Sequence, residues 1–152
     1  MTDAARAAVI DVSVLNGKRV LVIEDSQDYL LLLETYFDGV PVEYRFVTDG
    51  NAAIKMLSEE RWDVVLLDNQ LPGVSGIEIL QWLRSNEIKM GLSKTPVVAI
   101  SADVLEDSAF KEYKEELADF LMKPFKKKDL LDCLIAVVKG QRLKKLFGYT
   151  QT

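Results

Sequence analysis

Five short apolar runs punctuate the chain, Val20 to Ile23, Tyr44 to Val47, Val64 to Leu67, Val97 to Ile100 and Phe120 to Met122, each bounded by polar or turn residues. Val20 to Ile23, Val64 to Leu67 and Val97 to Ile100 are apolar throughout instead of alternating, as expected of strands in a parallel sheet covered by helices on both faces. The intervening segments have helical spacing: Leu30, Leu33 and Phe37, then Ala53, Ile54 and Leu57, then Ile77, Leu80 and Leu83. Ser75 with Glu78 three positions later makes a capping-box pattern, Asp49-Gly50 opens another helical segment, and Pro96 halts the third connection before a strand. Strict alternation of strands and helices predicts a three-layer α/β sandwich, in which ligands bind outside the carboxyl ends of the strands.

That edge is where the chemistry is expected. Glu24 and Asp25 follow the first strand, Asp68 the third, Ser101 the fourth and Lys123-Pro124 the fifth. Carboxylates brought together repel by roughly 4 kcal/mol per pair at about 4 Å with an effective dielectric of 20, so a cation must neutralise them. A hard divalent ion such as Mg²⁺ suits oxygen ligands of this kind. Lys123 and the Ser101 hydroxyl can then serve the oxygens of a phosphate carried by Asp68.

Composition narrows the alternatives. The 152 residues contain no histidine, which excludes His-ligated metals, Ser-His and Cys-His nucleophiles and a phosphohistidine on this chain. The formal charge is -5, a poor match for the phosphate backbone of nucleic acid, so no nucleic-acid partner is expected. No apolar run nears the roughly 20 residues that span a bilayer, and Asp11 interrupts the only leader-like stretch; no membrane association and a cytoplasmic location are expected. Cys133, the single cysteine, lies in the apolar stretch LLDCLIAVV and reads as a core residue. The length fits one domain, placed at 17–140, with a flexible N-terminal arm at 1–16 and a C-terminal extension or tail at 141–152.

The segments VLVIEDS, VVLLDNQLPGVSG, VVAISA and FLMKPF resemble, in order, the four signature segments of the response-regulator receiver family of two-component signalling systems, over about residues 18 to 138. The steps of 43 positions from Asp25 to Asp68 and 22 from Ser101 to Lys123 are also similar to the family's. The resemblance implies a flavodoxin-like doubly wound sheet of five parallel strands in the order 2-1-3-4-5. It implies Mg²⁺ held by Glu24, Asp25, Asp68 and the Gln70 backbone carbonyl, with Asp68 as phosphoacceptor and Lys123 paired with the phosphoryl group. Ser101 and Phe120 match switch positions, although Phe120 stands where many relatives have tyrosine and core packing explains a buried aromatic equally well. Lys123-Pro124 matches a peptide that is usually cis, and Gln70 and Asp103 match positions that tune dephosphorylation. The stretch Ser85 to Thr95 is longer than usual for the family and reads as a family-specific loop or a partner contact.

The function so implied is a signalling phosphoacceptor that acts on no substrate but its own phosphoryl group. It takes that group from a histidine kinase or histidine phosphotransfer protein. A downstream protein would be met through Val104 to Leu117, the Phe120 strand and the helix Leu130 to Val138, by a monomer or a phosphorylation-dependent dimer. Alternatives are a receiver excised from a hybrid histidine kinase, a receiver that binds partners without phosphate, and an aspartyl-nucleophile phosphatase. The last is disfavoured because Gln70 occupies the place of that class's second aspartate.

Overall fold

In the computed structural model, which describes residues 10–102 and 108–141, the chain alternates between five strands and five helices. The strands are β1 (Arg19–Ile23), β2 (Glu43–Val47), β3 (Val64–Asp68), β4 (Val97–Ser101) and β5 (Asp119–Met122). The helices are α1 (Gln27–Phe37), α2 (Gly50–Glu59), α3 (Gly76–Met90), α4 (Ser108–Glu112) and α5 (Lys127–Val138). The strands form one parallel sheet in the order β2-β1-β3-β4-β5, as the sequence implied. Every strand exceeds its apolar run by one residue, taking in Arg19, Glu43, Asp68, Ser101 or Asp119, because the ladder is made by backbone groups whatever the side chain.

The continuous apolar runs have their cause in two separate cores. Leu21, Ile23, Val65, Leu67, Val97, Ala99 and Phe120 pack on one face with residues of α2, α3 and α4. Their neighbours Val20, Val22, Val64, Leu66, Val98, Ile100 and Leu121 pack on the other with α1 and α5. Cys133 belongs to the second core and is fully buried; burial, and then the nearby Asp119, push its thiol well above the ordinary range. Among the described residues no helix is long and apolar enough to cross a membrane.

Two expectations are corrected. Residues 10–16, assigned to a flexible arm, include a 3-10 turn at Ser13–Leu15 whose Leu15 is fully buried in the second core, with Ile10, Val12 and Val14 packed against it. The stretch from Ser85 to Thr95 is not one loop: α3 continues to Met90 and stops at Gly91, whose φ of 67° suits glycine. The helical period is hidden there because a charged residue, Glu87, takes the core-facing place after Leu80 and Leu83. Glu87 is 2% exposed. Its carboxylate meets Arg84 Nη1 at 2.8 Å and accepts the Thr95 N–H at 2.7 Å, while Arg84 Nη2 donates to the Thr95 and Glu116 carbonyls at 3.0 and 2.6 Å. This network fastens the end of α3 to the entrances of β4 and β5.

Candidate functional site

Each site residue stands where a strand ends and the chain turns into a helix. Glu24 follows β1, and Ser26 caps α1 by accepting the Tyr29 N–H. The Glu24 side chain is fully buried, with Oε2 accepting the Ser26 N–H at 3.0 Å. Asp25, the next residue, is exposed. Asp68 ends β3 and is 6% exposed. Its Oδ1 accepts the N–H of Gln70, an exposed residue, at 3.1 Å.

The turn beyond Asp68 is bound back on itself: the Asn69 carbonyl accepts the Gly76 N–H at 3.0 Å and Asn69 Oδ1 the Ile77 N–H at 3.1 Å. Glycine is required at 76, since a Cβ there would lie 2.5 Å from the Asp68 carbonyl oxygen and 2.6 Å from Asn69 Cα. The Ser75–Glu78 capping box then starts α3.

Lys123 enters from β5. Its N–H donates to the Ser101 carbonyl at 2.7 Å, which ties the ends of β4 and β5 together, and the Lys123–Pro124 peptide is cis. The ammonium reaches Asp68 Oδ2 at 3.4 Å and pairs with Glu24 Oε1. That pairing lacks hydrogen-bond geometry, so the buried Glu24 Oε1 has an ionic neighbour but no hydrogen bond. On its other side Lys123 Nζ lies 4.5 Å from the centroid of the Tyr29 ring. Ser101 is half-buried at the end of β4. Phe120 is buried, its ring edge-on to Phe110 of α4 at 6.1 Å. Asp103 and the stretch 103–107 lie outside the described residues, as does all of the tail beyond Gln141.

Glu24, Asp25 and Asp68 each offer a carboxylate oxygen, all within 4.8 Å of one another. One lysine does not balance three such charges. Burial first, and the adjacent Glu24 charge after it, raise the Asp68 carboxyl to about 6, against the lowering effect of the Gln70 N–H and Lys123. A hard divalent cation fits this all-oxygen set, with Glu24 Oε1 buried beside the Lys123 ammonium and without a hydrogen bond, and Asp25 facing solvent. The arrangement can hold such an ion and present Asp68 as a nucleophile beside the positive charge of Lys123.

Tyr29 and Tyr36 are not among the residues singled out from the sequence. Tyr29 lies in the first turn of α1, and its spacing alone does not set it apart from other helical aromatics. Tyr29 Oη accepts the Phe125 N–H at 3.4 Å, and Tyr36 Oη donates to the Phe125 carbonyl at 2.9 Å.

Residues 20–135 match the family model described as response regulator receiver domain. The chain is 31% identical over 119 residues to the autoinducer 2 sensor kinase/phosphatase LuxQ of Vibrio vulnificus, a match covering 78% of this chain and 13% of that protein. It is 30% identical over 135 residues to the transcriptional regulatory protein GltR of Pseudomonas aeruginosa, covering 88% of this chain and 54% of that one. The chain thus spans a small part of the first and about half of the second. Among solved structures, the receiver domain of the sensor histidine kinase PA1611 of P. aeruginosa, which has a magnesium ion coordinated in its active site cleft, superposes with a TM-score of 0.72. At 24% identity, with 81% of this chain and 98% of that one covered, that likeness concerns the fold.

Proposed function

Because the chain belongs to the response regulator receiver family, we propose that it is a phosphoacceptor switch in which Asp68 takes a phosphoryl group from the phosphohistidine of a kinase or phosphotransfer protein. The observation that carries this reading is the buried Asp68 carboxylate, 3.4 Å from the Lys123 ammonium and within 4.8 Å of two further carboxylates.

An Asp68 carboxylate oxygen attacks phosphorus, the bond from phosphorus to the donor nitrogen breaks, and the histidine leaves with that electron pair. The Gln70 N–H holds the other Asp68 oxygen, which fixes the orientation of the nucleophile. Lys123 then pairs with the phosphoryl oxygens and Ser101 donates its hydroxyl to them. Glu24, Asp25, Asp68 and the Gln70 carbonyl would hold Mg²⁺, which when bound supplies the positive charge that lets the phosphoryl group approach carboxylates. Gln70 and Asp103 tune the in-line water that removes the group. The chain promotes only its own phosphorylation and dephosphorylation.

Acetyl phosphate with Mg²⁺ is expected to add one phosphoryl mass to the chain, and a chelator or Asp68→Asn to abolish the addition. A hydroxylamine-sensitive phosphate that persists in Asp68→Asn would sink the assignment.

The output face of this reading is made of α4, β5 and α5. It is supported by the Lys123 N–H bond to Ser101 and by the contact of Phe120 with Phe110, which lead from the acceptor toward α4. A full reversal of a two-state element takes about 5.5 kcal/mol of differential stabilisation, more than one hydroxyl contact supplies, so Ser101 and Lys123 act together. Beryllofluoride with Mg²⁺ is expected to shift amide resonances across that face, and Ser101→Ala to shrink the shift without abolishing binding. Shifts confined to the strand ends would place the output elsewhere.

A further inference from the structure

We propose that Tyr29 is a positioning residue for the phosphoryl-binding lysine: its ring face carries the Lys123 ammonium, and its hydroxyl grips the turn that Lys123 precedes. The proposal rests on the phosphoacceptor reading of the site.

A lysine side chain is a point charge on a flexible stem, so delivering it to one place requires something to hold it. Here Lys123 is 17% exposed and has lost most of its water. The ring centroid at 4.5 Å lies within the distance at which an aromatic face attracts a cation, and that attraction grows as water is removed. The backbone beyond Lys123 is held from the same helix. Tyr29 and Tyr36, two turns apart on α1, take the N–H and the carbonyl of Phe125, and Tyr29 also packs edge-on against the Phe125 ring at 5.5 Å. The stem of Lys123 is thus anchored at its base while its head is held over the ring, between Glu24 and Asp68. The competing explanation is that Tyr29 only fills space against Phe125. The two differ in whether the electrons of the ring matter.

The test uses the full chain with Mg²⁺ and beryllofluoride. Tyr29→Leu is expected to weaken beryllofluoride binding about fivefold, and Tyr29→Phe, which keeps the ring and loses only the long hydroxyl bond to Phe125 while the Tyr36 bond to that residue remains, to stay within about twofold of the starting protein. A phenylalanine with five ring fluorines at position 29 keeps the shape but inverts the charge of the face, and it is expected to weaken binding as leucine does. In a Lys123→Met background the same changes should add nothing. Normal binding by the leucine and fluorinated proteins overturns the proposal, and so does weakening by leucine alone, which would mean packing.

A second readout needs no ligand. The Lys123 Cε protons should be displaced upfield by the ring current in the unaltered protein and in Tyr29→Phe, and an absent displacement also overturns the proposal. A chain that takes up no beryllofluoride, with that displacement present, refutes the phosphoacceptor reading instead.

Discussion

Asp68→Asn is expected to stabilise the metal-free protein at pH 7.5 while removing its ability to be phosphorylated. The Asp68 carboxyl is raised from an ordinary 3.8 to about 6 by burial and by Glu24, so the folded state binds its proton more tightly than the unfolded chain does. Below about pH 4 both states are protonated and the group has no effect. As pH rises from about 4 to 6 the unfolded chain releases the proton first, and stability falls. Above 6 the full penalty persists, on the order of 2 to 3 kcal/mol, because each tenfold difference in proton affinity between the two states is worth about 1.4 kcal/mol. Asparagine carries no charge to bury, so its advantage should be absent at pH 3.5, grow through the window and level off above it. Urea unfolding in a chelator across that range measures the difference, and a constant gap between the two proteins would contradict this cause. Added Mg²⁺ should narrow the gap by binding the folded unaltered protein.

Arg84→Met should be among the most damaging changes remote from Asp68. It leaves the buried Glu87 carboxylate with the Thr95 N–H and a guanidinium of Arg61 at 4.0 Å, and frees the Thr95 and Glu116 carbonyls. Breaking a buried pair from one side costs about 3 to 5 kcal/mol, which for a chain of this size lowers the melting temperature by roughly 10 °C. Changing Glu87 to leucine in the same chain removes the stranded charge and should recover part of the loss. Thermal melts of the two single variants and the double variant close the cycle; additive losses would show that the pair is not coupled.

The fold was legible because each inner strand presents apolar residues to both helical layers, a pattern that few other arrangements produce. The charged edge of the sheet was legible for a related reason: Glu24, Asp68, Ser101 and Lys123 interrupt apolar runs at the same end of neighbouring strands. What the sequence hid were polar residues whose partners are distant in the chain. Glu87 looks like a solvated helix residue until Arg84 and Thr95 surround it, and that concealed the length of α3. Tyr29 looks like an ordinary helical aromatic because its partners, Lys123 and Phe125, lie more than ninety positions away. Leu15 lacks any periodic neighbour to mark it, and it is buried where its 3-10 turn packs against α5.

The division of the sheet into two cores bears on how this chain can diverge. Phe120 and Leu121 are adjacent in sequence, yet Phe120 lies against the α4 side and Leu121 against the α1 and α5 side. The sheet is a party wall: a substitution on one side is answered by neighbours in that room, with nothing to accommodate next door. Lineages can therefore re-tailor the side bearing α4 while the tenancy of Tyr29 and Tyr36 on α1 is left undisturbed.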